Sequence, residues 1–424
     1  MEHRTIAVSL FIIAYALFVF LPARRTVIAV IASLLVIFTG AITLRQAFWA
    51  INWNVMGIFV GTLAVADIFM ESRMPAWLAE VIVNKAKNTT WAILFICMLT
   101  GFISAFVENV ATVLIVAPIA LALAKKLKIS PVNMMIGIVI SSNLQGTATL
   151  IGDPPSMLLG GFAKMTFWDF FFYHGRPSIF FAVEIGAAVS FCVLYFIFRK
   201  HRQKTGIVAV EKVKSWVPTI LLVVLIIALA ASSFFDTGFS CLAGIMCMVF
   251  GTISLLWQKF VNKTSIIAGV KSLDWDTTLF LMGIFVLVGG VTATGWIETI
   301  AEFMSKLVGQ NIFLGYTLIV FISVFVSAFV DNVPFLAAML PVAISMAAKL
   351  NMEPSLFLYG LLIGASLGGN ITPIGASANI IGCGILKKEG YQVKFGDFVK
   401  IGLPFTLAAV GAAYIFVWLI WRPV

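Results

Sequence analysis

Long apolar stretches dominate the chain, and short polar segments separate them. Ten of these stretches reach the length of about 20 residues that a membrane-spanning helix needs. They lie at 5–22, 26–44, 54–70, 133–162, 177–198, 216–235, 239–257, 279–294, 355–386 and 398–421. The first begins almost at the N-terminus and has no small-residue cleavage site, so we expect a retained helix. The pattern predicts an all-α polytopic membrane protein.

Two further apolar stretches, 89–124 and 312–348, are too long for a single crossing. Each carries an acid followed by asparagine near its middle, FVENV at 106–110 and FVDNV at 329–333. Non-helical backbone is tolerated at membrane depth only inside protein or beside a water-filled cavity. We therefore predict two re-entrant helical hairpins, each of which enters the membrane, turns at the polar pair and leaves on the same side.

The two halves of the chain repeat one another. Residues 104–131 align without gaps with residues 327–354, and 12 of the 28 positions are identical. Downstream, QGTATLIGDPPSMLLG (145–160) aligns with GGNITPIGASANIIGC (368–383). Gly and Pro in this second pair interrupt apolar runs that are otherwise helical. Paired interruptions in corresponding halves are the best sequence pointer to a transporter site.

The repeat predicts two inverted halves of five transmembrane helices, each with a re-entrant hairpin and a broken helix. An odd number of crossings places the second half upside down relative to the first. The boundaries are 1–205 for the first repeat (hairpin 89–124, broken helix 133–162) and 206–424 for the linker and second repeat (hairpin 312–348, broken helix 355–386). A basic segment, 199–214, joins them.

Composition and charge agree with a membrane location. The chain is 61% hydrophobic and 11% charged, whereas soluble domains carry about 25% charged residues. With both termini outside, 21 of the 28 Lys and Arg residues fall on the cytoplasmic side, as the positive-inside rule requires. This set includes Arg24, Arg25, Lys125, Lys126, Lys128, the 199–214 segment, Lys387 and Lys388. This distribution predicts a multi-pass protein of the cytoplasmic membrane. Its cytoplasmic loops account for the net charge of +10, so we expect no nucleic-acid partner.

Polar residues at the hairpin tips and helix breaks are the candidate substrate and ion ligands. Broken helices expose N–H groups and carbonyls, which can hold an anion, a small polar solute or a cation. The candidates are Glu108, Asn109, Thr112, Asn143, Thr147, Thr149 and Asp153 in the first half, and Asp331, Asn332, Asn370, Thr372, Ser377 and Asn379 in the second.

The two tip acids are the candidates for ion coupling. A carboxylate near the membrane centre costs about 2.5–3.5 kcal/mol or more, so a functional role is the natural reason for its presence. We predict that Glu108 and Asp331 carry protons or bind a cation. If the cation is sodium, its site would lie at the hairpin tips. Cysteines without CxxC spacing, and histidines outside the apolar runs, predict no other metal site and no cofactor.

The tip motif followed by GTATLIGDPPSMLLG (146–160) resembles the ion transporter superfamily over nearly the whole chain. It is similar to arsenite-efflux permeases of the ArsB type, NhaD-type sodium/proton antiporters and the melanosomal P protein, and more distantly to divalent-anion/sodium symporters. In those symporters each tip carries Ser-Asn-Thr, which binds sodium and substrate carboxylates. Here Glu108-Asn109-Val110 and Asp331-Asn332-Val333 depart from that pattern. A negative charge at each tip favours a neutral solute, a cation or exchange against protons.

The resemblance implies a secondary transporter, with proton-coupled efflux of arsenite or antimonite as the first expectation. Sodium/proton antiport and permeation of citrate or another organic acid are the alternatives. A channel would also use broken helices, whereas an enzyme is disfavoured because no P-loop, HExxH or nucleophile motif occurs. Expected partners are a small inorganic solute or ion and the lipid bilayer. A homodimer is a further possible assembly. Because the sequence holds no ATP site, any ATP-driven transport would need a separate ATPase subunit.

Overall fold

The computed structural model describes residues 2–127, 129–200, 212–236, 238–261, 263–309 and 311–423. Lys128 and residues 201–211, which make up most of the predicted basic linker, lie outside the described residues. Where the first repeat ends and the second begins therefore stays a prediction.

The described residues fold mainly into α-helices. The first half contains α1 (Glu2–Phe20), α2 (Arg25–Phe38), α3 (Leu44–Ala50), α4 (Trp53–Glu71), α5 (Met74–Lys85), α6 (Thr89–Ser104), α7 (Asn109–Leu127), α8 (Val132–Gly146), α9 (Pro154–Ala163) and α10 (Ile179–Phe198). The second contains α11 (Val217–Ser232), α12 (Leu242–Val261), α13 (Ile266–Ser272), α14 (Trp275–Ala293), α15 (Trp296–Val308), α16 (Ile312–Ser327), α17 (Asn332–Lys349), α18 (Ser355–Gly368), α19 (Ser377–Lys388) and α20 (Phe395–Trp421). Two short antiparallel strands, β1 (Phe172–Tyr173) and β2 (Arg176–Pro177), precede α10.

The order of helices in the first half recurs one for one in the second. Within the described residues, eight helices are long and apolar enough to cross a membrane, and four shorter apolar ones accompany them. The hairpins are α6–α7 and α16–α17, and the broken helices are α8–α9 and α18–α19. The predicted fold class is thereby confirmed.

Two short helices, α3 and α13, were not predicted. Each has seven residues, too few for a periodic apolar pattern to emerge. Their starts carry the side-chain caps that helix N-termini favour: Thr43 accepts a hydrogen bond from the Gln46 amide, and Ser265 accepts one from the Ala268 amide. Both helices lead directly into a long helix, α4 or α14, and they occupy equivalent places in the repeat.

Each helix break depends on a glycine that lets two stretches of backbone approach. A Cβ on Gly152 would lie 2.3 Å from the carbonyl oxygen of Gly146, and one on Gly375 would lie 2.5 Å from that of Gly369. After the first break, Pro154 and Pro155 open α9, where the missing N–H costs nothing. The glycine pairs are equivalent in the two repeats, so the same chain reversal forms twice.

Helices from the two halves interlock. Helix α2 packs on α14 and α4 packs on α12, which is the same pairing with the halves exchanged. The packing is close, since Gly61 lies against the backbone of Cys247 and Gly283 against that of Ala29. In the same way α7 contacts α19 and α9 contacts α17. Each hairpin therefore rests on the broken helix of the other half, and this brings both tips to one place.

Candidate functional site

A threonine in each break ties the broken helix to the tip of the hairpin in its own half. The Thr149 hydroxyl donates to the carbonyl of Ala105, and the Thr372 hydroxyl donates to the carbonyl of Ala328. Both threonines are buried. The two bonds occupy equivalent positions in the repeat, so hairpin tip and helix break form one unit in each half.

The first tip is braced further through Asn109. The Ser104 hydroxyl donates to Asn109 Oδ1 over 2.6 Å, and the Ser142 hydroxyl donates to the Asn109 carbonyl over 3.2 Å. Gly146 leaves room for this amide, because a Cβ there would lie 2.0 Å from Asn109 Oδ1. At the second tip, Ser327 donates to the carbonyl of Ala365. Residues at the tips are therefore held by hydrogen bonds to their neighbours in the protein.

Three asparagines join the two broken helices. Asn143 Nδ2 donates to Asn370 Oδ1 and to Asn379 Oδ1, each over 2.8 Å. Asn379 Nδ2 in turn donates to the carbonyls of Gly369 and Thr372, each over 2.9 Å. Asn370 Nδ2 donates to the carbonyl of Ile140 over 3.2 Å. Candidate residues from both halves thus share one hydrogen-bonded centre.

Both hairpin tips line a single cavity of about 140 Å³. Its wall also includes the first residues of α2, α9, α14 and α19. Seven of the residues predicted from the sequence line it: Glu108, Asn109, Asn143, Asp153, Asp331, Asn332 and Ser377. The tertiary structure therefore brings residues from both repeats to one solute-sized space.

The other six predicted residues lie behind this wall. They are Thr112, Thr147, Thr149, Asn370, Thr372 and Asn379. Each is buried and bonded within the protein; for example, Thr112 donates to the carbonyl of Val107 over 3.3 Å and Thr147 to that of Asn143 over 3.2 Å. In this structure they shape the tips and breaks.

Arg25 lines the cavity but was not among the site residues predicted from the sequence. It forms an ion pair with Asp331 Oδ2, and its Nη1 and Nη2 lie 3.1 Å from Ser377 Oγ and 3.4 Å from Thr277 Oγ1. Its guanidinium carbon lies 5.0 Å from the centre of the Phe280 ring. From the sequence, Arg25 was expected only as a cationic residue on the cytoplasmic side, and each tip was expected to carry a negative charge. The ion pair shows that the charge of the second tip is matched by Arg25.

The sequence held only a weak signal for this arginine. Arg24 and Arg25 together precede an apolar run, as loop cations commonly do. Arg24 is exposed, whereas Arg25 is partly buried at the first turn of α2. Which of two adjacent arginines points inward depends on the packing of α2 against α14, and that is a tertiary contact.

The cavity wall is rich in acids. Asp274 and Asp276, at the start of α14, join Glu108, Asp153 and Asp331 there. Among the described residues that line the cavity, five carboxyl groups face one guanidinium. Like charges repel strongly in a small space removed from water, so how many of these groups are ionised depends on the protons or cations bound beside them.

The acids differ in how fully the protein satisfies them. Glu108 Oε2 accepts the Ala111 amide over 2.9 Å, and Asp274 caps α14 through the amide and hydroxyl of Thr277. Asp153 Oδ1 accepts the Ser156 amide over 2.9 Å, but its Oδ2 is buried without a hydrogen-bond partner among the described residues. A buried, unpaired carboxyl oxygen is costly, so Asp153 is suited to receive a proton or a bound ligand.

No group of three or more His, Cys, Asp or Glu side chains with the geometry of a metal site occurs among the described residues. The acids of the cavity are spread over four helix termini instead. A cation bound there would need ligands from the backbone, from amides or from the solute itself.

The chain is similar to a transporter family and to curated proteins over nearly its full length. The sequence model of a family described as "Citrate transporter" matches residues 15–357 and 241–423. A transporter of Mycobacterium tuberculosis is 28% identical over 98% of both chains. The P protein of Mus musculus is 25% identical over 97% of this chain, which spans 60% of that longer protein. The expected similarity to the P protein is confirmed.

A solved structure shares the fold. The YdaH transporter of Alcanivorax borkumensis superposes with a TM-score of 0.61 over 99% of this chain and 98% of its own, at 13% sequence identity. The apolar helices and the match to the family model show an integral membrane transporter. The chain belongs to the citrate transporter family.

Proposed function

We propose that this transporter is a proton-coupled permease for a small organic anion of the citrate type. The observation that carries the proposal is Arg25, whose guanidinium faces the cavity between the two hairpin tips. A planar guanidinium matches a carboxylate with two parallel hydrogen bonds. The family description supports the same class of solute. Permeation of citrate or another organic acid was one of the alternatives expected from the sequence.

Protons are the coupling ions that the cavity supports best. An organic anion that enters beside Glu108, Asp153 and Asp331 meets like charges, and binding is favourable only if some of them are neutralised. Protonation of these carboxyl groups removes the repulsion and supplies hydrogen-bond donors for the solute. A cation that travels with the anion would act in the same way. Anion and neutralising charge would therefore cross together as the tips alternate between the two sides.

Proton-coupled efflux of arsenite or antimonite is the second candidate. Arsenite is largely a neutral hydroxide at neutral pH, so it needs hydrogen-bond partners rather than a counter-charge. Asn109, Asn332 and Ser377 line the cavity and offer such partners. This solute would not require Arg25, and the two candidates therefore differ in their response to a change at that residue.

Sodium/proton antiport is the third candidate. It would use the same acids as alternating ligands for sodium and protons, without any organic solute. The composition of the cavity, with five carboxyl groups, is the observation in its favour. It predicts proton movement when sodium or lithium is added alone.

The experiment is proton flux in proteoliposomes that contain the purified protein and an internal pH-sensitive dye. Citrate, succinate, arsenite, antimonite, sodium and lithium are added one at a time. We expect a proton signal with citrate or succinate, and its loss in Arg25→Ala but not in Arg24→Ala. A signal with arsenite alone that survives Arg25→Ala would replace the proposal with metalloid efflux. A signal with sodium alone would replace it with cation antiport.

We further propose that the protein lies in the cytoplasmic membrane with both termini outside. In this orientation Arg25, Asp274 and Asp276 lie near the cytoplasmic ends of their helices, so the cavity faces the cytoplasm in this structure. The excess of Lys and Arg in the same loops supports this orientation.

A further inference from the structure

We propose that Asp331 and a carboxylate of the transported anion compete for Arg25, so that protonation of Asp331 opens the anion site. This inference rests on the proposed organic-anion function and names its specificity-determining residue. Coupling then arises from an exchange of partners: a proton binds to Asp331 Oδ2, the guanidinium is released, and the substrate carboxylate takes its place.

Arg25 is held in position independently of Asp331. Its guanidinium also approaches Ser377 and Thr277 and lies over the Phe280 ring. The neighbouring Thr26 hydroxyl donates to the carbonyl of Asp276 over 3.1 Å. These contacts come from α14 and α19 rather than from the hairpin. Departure of Asp331 would leave a preorganised cation in the cavity, and preorganisation lowers the cost of binding.

The two oxygens of Asp331 have separate tasks. Oδ1 accepts the Val333 amide over 3.1 Å and caps α17, whereas Oδ2 contacts Arg25. A proton on Oδ2 would break the ion pair and leave the cap in place. The hairpin could therefore keep its shape while its partner at Arg25 changes.

Other charged groups around the pair set the charge that an anion meets. Asp274 and Asp276 face it from α14, Glu108 from the first tip and Asp153 from the start of α9. Arg24, which directly precedes α2, is exposed, and α19 contributes the uncharged Ser377. While Asp331 is ionised, the guanidinium that lines the cavity is already matched, and the remaining acids repel an anion. A single protonation at Asp331 changes this balance most, because it frees the cation as well as removing a negative charge.

This pairing of a tip acid with an arginine occurs at the second tip. Arg25 is the first residue of α2, and the equivalent helix in the repeat, α12, begins at Leu242. Glu108 therefore faces no equivalent arginine at that helix start. The two tip acids, although equivalent in the repeat, are expected to differ in their effect on anion binding.

The test is citrate binding to the purified protein, measured with radiolabelled citrate across an acid-to-alkaline pH series. In the wild type we expect tighter binding as pH falls. In Asp331→Asn, which cannot hold Arg25 as an ion pair, we expect binding at alkaline pH to be at least about tenfold tighter than in the wild type, with a flattened pH profile. Arg25→Ala should not bind citrate at any pH, whereas Arg24→Ala should match the wild type.

Two further variants separate loss of the site from loss of the fold. Arg25→Lys keeps the charge but not the planar fork, so it should fold and bind citrate more weakly. Arg25→Ala/Asp331→Asn removes both charges and leaves neither unpaired; it should fold, as judged by gel filtration and thermal melting, and still not bind.

The outcomes distinguish the two proposals. If the wild type neither binds nor transports an organic anion, both the proposed function and the proposed competition for Arg25 are wrong. If the wild type binds citrate but Asp331→Asn keeps the wild-type pH profile, the competition alone is wrong. Citrate binding by well-folded Arg25→Ala at wild-type strength would also overturn it.

Discussion

The side-chain amide of Asn143, in the first half, donates to Oδ1 of Asn379, in the second half, over 2.8 Å. The two residues are far apart in the chain and lie in different broken helices. Their contact is possible because each hairpin rests on the broken helix of the other repeat. The candidate site is therefore a product of both halves together.

Replacement of Asn143 should damage the centre of the site. Asn143→Ala removes the donor to both Asn370 and Asn379, and buried acceptors left without partners cost about 1–3 kcal/mol each. We expect a lower melting temperature in detergent and loss of transport. Gln392→Ala, at an exposed position, is the control. An unchanged melting temperature and unchanged transport in Asn143→Ala would show that the hydrogen bonds among the three asparagines contribute to neither stability nor transport.

The threonine ties should be equivalent in the two repeats. Thr149→Val and Thr372→Val keep the side-chain shape but remove the hydroxyls that bond the tips at Ala105 and Ala328. Each buried carbonyl left unpaired should cost about 1–3 kcal/mol. We expect both variants to lose transport to a similar degree and both serine replacements to retain it.

Thr252→Val is the matched control for the threonine pair, because that hydroxyl is exposed and bonds only within its own helix in the described structure. The measurement is solute uptake together with limited proteolysis at the hairpins. A large loss of transport in one of the two valine variants with none in the other would contradict the equivalence of Thr149 and Thr372.

The glycines at the breaks should tolerate no side chain. A Cβ at Gly152 or Gly375 would lie 2.3 or 2.5 Å from backbone oxygen, and neither backbone segment can move without undoing the break. We expect Gly152→Ala and Gly375→Ala to express poorly or to lose transport. In α19, a Cβ added at Gly384 would meet no heavy atom within 4 Å beyond its own helix backbone and chain neighbours. Gly384→Ala should therefore stabilise the protein by about 0.5–1 kcal/mol. Thermal melting of the three variants checks this, and equal melting temperatures would refute it.

Glu108 should contribute to proton coupling. Glu108→Gln removes the charge, and its amide oxygen can still accept the Ala111 N–H, so the tip should keep its fold. We expect solute uptake that responds less to an imposed pH gradient, with substrate binding retained. Glu298→Gln, at an exposed position in α15, is the control. Full pH-driven uptake in Glu108→Gln would exclude Glu108 from the coupling step.

The predicted orientation can be measured with a membrane-impermeant maleimide on intact cells. Lys306→Cys, at the exposed end of α15, should react because it lies outside, and Lys387→Cys, at the exposed end of α19, should react only after the membrane is opened. The wild type, with its five cysteines, provides the background. The reverse pattern would invert the topology and place the cavity on the outer side.

The amino-acid sequence by itself determined the all-α membrane fold, the repeat, the hairpins and the helix breaks. These features are local: apolar length decides which segments span a membrane, and Gly, Pro and capping residues decide where a helix ends. The tip acids and asparagines could be named for the same reason, because a polar residue in an apolar run stands out wherever it folds. The short helices α3 and α13 escaped notice because seven residues show too little periodicity.

Only the tertiary structure decided what those polar residues contact. It decided which of the candidate residues line one cavity, placed the buried threonines behind its wall and brought Arg25 to Asp331. Each of these contacts joins segments that are distant in the chain, and their side chains meet because α2 packs on α14 and each hairpin packs on the opposite repeat. The sequence shows that Arg25 and Asp331 carry opposite charges, but their pairing depends on a distance that folding alone sets.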